Sequence, residues 1–128
     1  MSKKHPIISV TGSSGAGTTT VKTTFDQIFR REGITSVSIE GDAFHRYDRA
    51  AMKAELEARK ASGDQTFSHF SYEANELAEL ENIFATYGTT GKGRTRHYVH
   101  DDSEAARWGV APGTFTEWAP FEDGSDLL

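Results

Sequence analysis

The stretch ISVTGSSGAGTTTVKTTF, Ile8 to Phe25, decides how the chain is read. It begins with apolar, β-branched residues after Pro6, the pattern of a buried strand. Gly12 and Gly17 are separated by four residues, and Thr19 stands two positions after Gly17. Strand, glycine loop with this spacing, then helix is the context of a phosphate-binding loop. The first N–H groups of a helix have no partner and the helix dipole is positive there, so phosphate oxygens bind well at that end. The position that ordinarily carries lysine holds Thr18. The expectation is a loop that binds phosphate through backbone N–H groups, over Gly12, Ser13, Ser14, Gly15, Ala16, Gly17, Thr18, Thr19 and Thr20, with the Thr19 hydroxyl placed to ligate Mg²⁺. Three glycines and five hydroxyls here exceed what a turn needs if it only packs a helix on a sheet.

Outward from the loop, Val21, Phe25, Ile28 and Phe29 recur at helical spacing, and Gly33 closes that helix. ITSVSIE, Ile34 to Glu40, alternates as a second strand. Strand, loop, helix and strand open a βαβ unit, so the fold class expected is α/β with a mostly parallel sheet and flanking helices. The second strand is expected beside the first. Asp48 caps a further helix to about Ser62, and Ser71 opens another with Leu77, Leu80, Phe84 and Tyr87 on one face, ending at Gly88. TTGKGRTRHYVHDD and WGVAPGTFTEWAP read as loops and short strands. Lys92, Arg94, Arg96 and His97 are expected to be solvated loop cations, the other reading being a mobile basic flap near the substrates, and Trp108, Phe115 and Trp118 are expected in the core or at a partner contact.

The second strand runs into EGDAFHRYDRAAMK, Glu40 to Lys53. Ligands of open α/β sheets sit outside the carboxyl ends of the strands, so Asp42 is expected near the phosphate loop. It can accept the proton of a hydroxyl attacking the γ-phosphoryl group of ATP, or hold Mg²⁺. Arg49 and Lys53 are four apart and share a helix face, close in sequence to His45 and Arg46. Cations grouped this way suggest an acceptor with a phosphate of its own.

The net charge of -5 speaks against a nucleic-acid partner. No apolar run approaches the roughly 20 residues of a membrane helix, and the start lacks a secretory pattern, so the expected location is the cytoplasm. The lack of cysteine excludes disulfides and thiolate chemistry within these 128 residues.

HPIISVTGSSGAGTTTV and SIEGDAFHRYDRAAMK, together with FSHFSYEANELAELE, YGTTGKGRTRHYVHDD and APGTFTEW, resemble the bacterial-type phosphoribulokinases over essentially the whole chain. The resemblance implies a P-loop kinase fold and a kinase of carbon dioxide fixation in the Calvin cycle. Such an enzyme uses ATP with Mg²⁺ to phosphorylate the C1 hydroxyl of ribulose 5-phosphate. It implies that Gly12 to Thr20 bind ATP, that Asp42 is the catalytic base, and that His45, Arg49 and Lys53 contact the sugar phosphate. It further implies a homo-oligomer in the full-length protein. EDGSDLL runs from a turn into two leucines as a buried strand would begin. Residues 1–128 are accordingly expected to form the N-terminal part of a single kinase domain, cut before the next core strand. Two other readings stay open: a related small-metabolite kinase of the uridine or pantothenate kinase type, and a nucleotide-binding regulatory module without catalysis.

Overall fold

Helix α1 (Thr18–Glu32) begins where the glycine loop ends. Gly17 is its N-cap at φ 85°, and Gly33 closes it at φ 70° by donating its N–H to the carbonyls of Arg30 and Phe29. Both are left-handed conformations that glycine adopts without the Cβ penalty. The computed structural model describes residues 2–13 and 15–128; Ser14 of the expected loop lies outside them. The chain forms two compact units, one of Met1–Ser38, Ile83–Gly93 and Pro120–Leu128, the other of Ile39–Asn82 and Arg94–Ala119.

The first unit contains the start of a parallel sheet. The Leu128 N–H donates to Pro6 O, and Ile8 N–H donates to Leu128 O. On the other side Val37 N–H donates to Leu127 O and Asp126 N–H to Thr35 O, with a parallel bridge between Ser36 and Leu127. Asp126–Leu128 therefore lies between the two early segments, which were expected as neighbouring strands; they are not neighbours, and neither is a regular strand, the second carrying only the bridge at Ser36. Backbone pairing of a distant segment carries no local signal. Leu127 and Leu128 are buried, with Ile83 and Tyr87 of helix α3 (Leu77–Thr90). The Tyr87 hydroxyl shares a 2.8 Å hydrogen bond with Ser125, and the His5 ring meets its edge. The apolar stripe of α1 is correctly periodic, yet no α1 residue is buried, and Val21 and Ile28 are each 39% exposed.

In the second unit, Asp48 caps helix α2 (Arg49–Ala61) by accepting the Ala51 N–H at 2.8 Å. Met52 and Leu56 pack on Phe67, Ala74 and Tyr47. The helix expected from Ser71 starts later. Tyr72–Ala74 is a 3-10 turn, α3 begins at Leu77, and Gly88 is inside it, the chain leaving at Gly91 with φ 70°. The segments after Gly93 form an irregular antiparallel hairpin. A two-residue ladder, β1 (Arg94–Thr95) with β2 (Ala119–Pro120), continues through Tyr98 opposite Phe115. Helix α4 (Asp102–Trp108) interrupts what was expected to be loop. Its signals are present in sequence: Asp101 caps it by accepting the Glu104 N–H, and Gly109 ends it at φ 75°.

The basic stretch is solvated as expected at Lys92 and Arg94, but not at Arg96 and His97. Arg96 donates from Nε to Ala43 O and from Nη2 to His45 O, both at 2.8 Å, and lies over the rings of Phe115 and Trp118. Arg94 pairs with Glu79 at 2.8 Å, and His97 stacks on Trp108 with centroids 3.9 Å apart. The planar Arg96 guanidinium satisfies the carbonyls of Ala43, in the 3-10 turn Gly41–Phe44, and of His45 just after it, which is why this cation became a packing residue. Lys92 and Arg94 stay largely in solvent, their side chains 72% and 53% exposed.

Candidate functional site

The expected loop has the backbone of an anion cradle. Gly15 and Gly17 are left-handed at φ 79° and 85°, and Ala16 N–H donates to Ser13 O at 3.0 Å. Gly12 is closely approached: a Cβ there would sit 3.0 Å from Ala16 Cβ and 3.1 Å from Thr18 Cγ2. The first turn of α1 has no side-chain cap and no acidic residue, which leaves its N–H groups for a ligand. Thr18, Thr19 and Thr20 belong to that turn, Thr19 and Thr20 being exposed and Thr18 half-buried. Among the described residues there is no cluster of three metal-ligating side chains. A single hydroxyl such as Thr19 suits Mg²⁺ held mainly by nucleotide phosphates and water.

Asp42, His45, Arg49 and Lys53 lie in the second unit and all four line one cavity of about 490 Å³. That volume is in the range of small-molecule sites. The 3-10 turn Gly41–Phe44 presents Asp42, and His45 directly follows it. Its buried residues Ala43 and Phe44 anchor the turn, while Asp42 is exposed toward the cavity. Arg49 and Lys53 reach the cavity from one face of α2, as their spacing required.

The sequence did not announce the partners of Asp42. His100 places Nε2 2.9 Å from Asp42 Oδ2, and His45 places Nε2 3.3 Å from Oδ1. Each imidazole has a second partner that decides its protonation. Asn75 spends both amide hydrogens on the carbonyls of His69 and Ser71, so its Oδ1 accepts, at 2.8 Å, from His45 Nδ1–H. A neutral His45 would then turn a lone pair toward a carboxylate, whereas the imidazolium satisfies both sides. Glu104 Oε2 stands 3.0 Å from His100 Nδ1 and imposes the same choice there.

The titration behaviour follows. The Asp42 carboxyl is lowered to about 2, chiefly by the hydrogen bond from His45, opposed by burial and helped by His100. The His45 ring is raised, first by Asp42, against burial. For His100 burial is the largest influence and lowers it, but Asp42 and Glu104 together carry it upward. A lowered aspartate stabilises fully above its unfolded value near 4 and loses that effect as pH falls toward about 2. Raised histidines stabilise fully below about 6.5 and lose the effect as pH rises through their folded values. The cluster is thus intact between roughly pH 4 and those raised histidine values. Proton NMR of the complete protein is expected to show His45 and His100 midpoints above 6.5, both returning downward in Asp42→Asn. Midpoints unaffected by that substitution would contradict the ion-paired cluster.

Arg49 is partly committed, donating from Nη2 to His100 O at 2.7 Å and from its N–H to Gly113 O at 2.9 Å. Gly113 is left-handed at φ 79°, and a Cβ there would fall 2.8 Å from Arg49 Cβ. Neither Arg49 nor Lys53 has a carboxylate within ion-pair distance among the described residues. Three imidazoles, His45, His69 and His100, line the cavity with the carboxylates of Asp42, Asp48 and Glu57, and the unpaired cations Arg49 and Lys53 are the groups there that suit an anionic ligand.

Residues 7–128 match the sequence profile of the Phosphoribulokinase / Uridine kinase family. The chain belongs to that family. It is 79% identical over its 128 residues to phosphoribulokinase 2 of Cereibacter sphaeroides, and 62% identical to the phosphoribulokinase of Nitrobacter vulgaris. Each match takes in the whole chain but 44% of the relative, so the chain spans less than half the length of these family members. The solved phosphoribulokinase from Rhodobacter spheroides superposes with a TM-score of 0.86 at 67% identity, over 98% of this chain and 42% of that one. This family fold is the α/β P-loop kinase fold that the resemblance implied, and among the described residues the regular sheet is small, the two-residue ladder of β1 with β2.

Proposed function

We propose that the complete protein is a phosphoribulokinase, transferring the γ-phosphoryl group of ATP to the C1 hydroxyl of D-ribulose 5-phosphate. The observation that carries the reading is the cavity in which Asp42 stands between His45 and His100 and faces the cations Arg49 and Lys53. The names and high identities of the relatives support it. On this reading the enzyme serves carbon dioxide fixation in the cytoplasm and works as a homo-oligomer.

Asp42, ionised throughout the neutral range, accepts the proton of the C1 hydroxyl as its oxygen attacks the γ-phosphorus. The bond from that phosphorus to the bridging oxygen breaks and ADP leaves. Arg49, Lys53 and His45 hold the acceptor's own phosphate, which aims C1 at Asp42. His45 has a second effect. Its hydrogen bond is the largest influence lowering Asp42, so a substrate phosphate that draws the ring away raises the carboxyl and makes it a better base. Gly12 to Thr20 hold the triphosphate by backbone N–H groups, and Thr19 would ligate Mg²⁺, which neutralises developing phosphate charge.

The test of the reaction is ADP release by the complete protein on adding ribulose 5-phosphate. Release with uridine or pantothenate instead would point to another member of the family, and no release with any acceptor to a binding module. For the loop, Gly17→Val forces a β-branched residue to φ 85° with nothing crowding its Cβ, so the cost is backbone strain alone. That strain is about 1–2 kcal/mol. ATP is expected to bind roughly five- to thirtyfold more weakly. Unchanged ATP affinity in a binding titration would argue against the loop as its site.

A further inference from the structure

Glu104 lies on α4, outside every residue assigned above to substrate. Its Oε2 accepts the His100 backbone N–H at 2.7 Å and faces His100 Nδ1 at 3.0 Å. The opposite ring nitrogen of His100 meets Asp42 Oδ2. The imidazole is therefore clamped between two carboxylates from different elements. A neutral imidazole has one N–H and can serve only one of them; the imidazolium serves both. We propose that Glu104 is a positioning residue for Asp42, keeping the His100 ring charged and oriented so that it occupies Oδ2, while Oδ1, held by His45 at the longer 3.3 Å, is the oxygen that receives the acceptor hydroxyl. The inference rests on the reading of Asp42 as the base.

The geometry distinguishes the two oxygens. The Oδ2 contact is the shorter, 2.9 Å against 3.3 Å at Oδ1, and its donor is fixed at three points. Glu104 holds the ring and the backbone N–H, and Arg49 Nη2 holds the carbonyl. Glu104 is itself placed by α4, its N–H donating to the capping carboxylate of Asp101. The other groups facing His100 are the Tyr98 ring, edge-on with centroids 5.0 Å apart, and His45 across Asp42. Neither supplies a negative charge to the ring, so among the described residues Glu104 and Asp42 hold it in the charged form against burial. Glu104 is lowered from its ordinary value, first by the His100 backbone hydrogen bond, and stays ionised where the reaction would run.

Glu104→Gln separates positioning from scaffolding. Glutamine still accepts the His100 backbone N–H and keeps the start of α4, but it brings no charge to Nδ1. In the complete protein the His100 midpoint, read by NMR, is expected to fall by about one unit. The kcat is expected to fall about tenfold, with the KM for ATP within roughly twofold of wild type. A purely structural Glu104 would be replaced by glutamine without loss, so a wild-type His100 midpoint or a wild-type kcat overturns the proposal. If the variant does not fold, the ¹⁵N shifts of His100 in the wild-type protein at pH 7 decide. Two protonated nitrogens support the clamp, and a neutral ring overturns it. Asp42→Asn in the same assay keeps the two readings apart. A large loss there with an unaltered Glu104→Gln removes only the role of Glu104, whereas a near-normal Asp42→Asn removes the base.

Discussion

Asp42→Asn in the complete protein is expected to lower kcat by about 10⁴-fold or more while changing either KM far less. General-base catalysis is typically worth about 10²–10⁴-fold, and here the carboxylate also orients the attacking hydroxyl. Asparagine keeps the shape, suits the 3-10 turn Gly41–Phe44, and its carbonyl can still accept from His100 Nε2. It cannot take the proton. The two histidines also lose the anion that raises them, so their midpoints fall and provide a check that the substitution acts where intended. The deciding measurement is kcat across a Mg²⁺ titration. Recovery at high Mg²⁺ would make Asp42 a metal ligand, and a near-normal kcat would remove it from the chemistry.

The second large effect is expected at Arg49. Losing one charged contact to the sugar phosphate costs about 1.5–3 kcal/mol, so Arg49→Ala should raise the KM for ribulose 5-phosphate roughly ten- to a hundredfold. Position in sequence alone would leave kcat untouched. The structure predicts otherwise, because Arg49 Nη2 holds the carbonyl of His100, whose ring holds Asp42. A moderate fall in kcat should accompany the KM effect, with the KM for ATP nearly unchanged. Steady-state kinetics with each substrate varied in turn settles this. Equal rises in both KM values would show that Arg49 does not belong to the acceptor's site.

Much of this was legible because local rules fix it. The loop needed only the glycine spacing and its flanks, and the caps of α1 and α2 stood at Gly33 and Asp48 in the sequence. Arg49 and Lys53 reach one cavity because four residues make about one helical turn. Helix α4 was also announced by Asp101, Glu104 and Gly109, but its seven residues are too few to show apolar periodicity among so many turn residues. The start of the third helix failed for a similar reason. Ser71 is a plausible cap, yet the chain first makes a 3-10 turn, and Asn75 is used in bonding His45.

By itself the sequence determined the opening glycine loop and helix, the family, and the residue types placed at Asp42, His45, Arg49 and Lys53. These depend on neighbours a few positions apart, whose spacing sets their relative direction. Only the tertiary structure decided which groups control Asp42. Asn75, His100 and Glu104 are separated from it by 33, 58 and 62 positions, and nothing in local periodicity links them. The hairpin returning through Tyr98 brings His100 to Asp42, and the bridge between His45 and Asn75 fixes the other imidazole. The backbone pairing of the first unit was decided in the same way, since Asp126–Leu128 enters between two extended segments that flank α1 in the chain. In each case the deciding interaction is a hydrogen bond between residues remote in sequence, whose partners are chosen by packing and not by propensity.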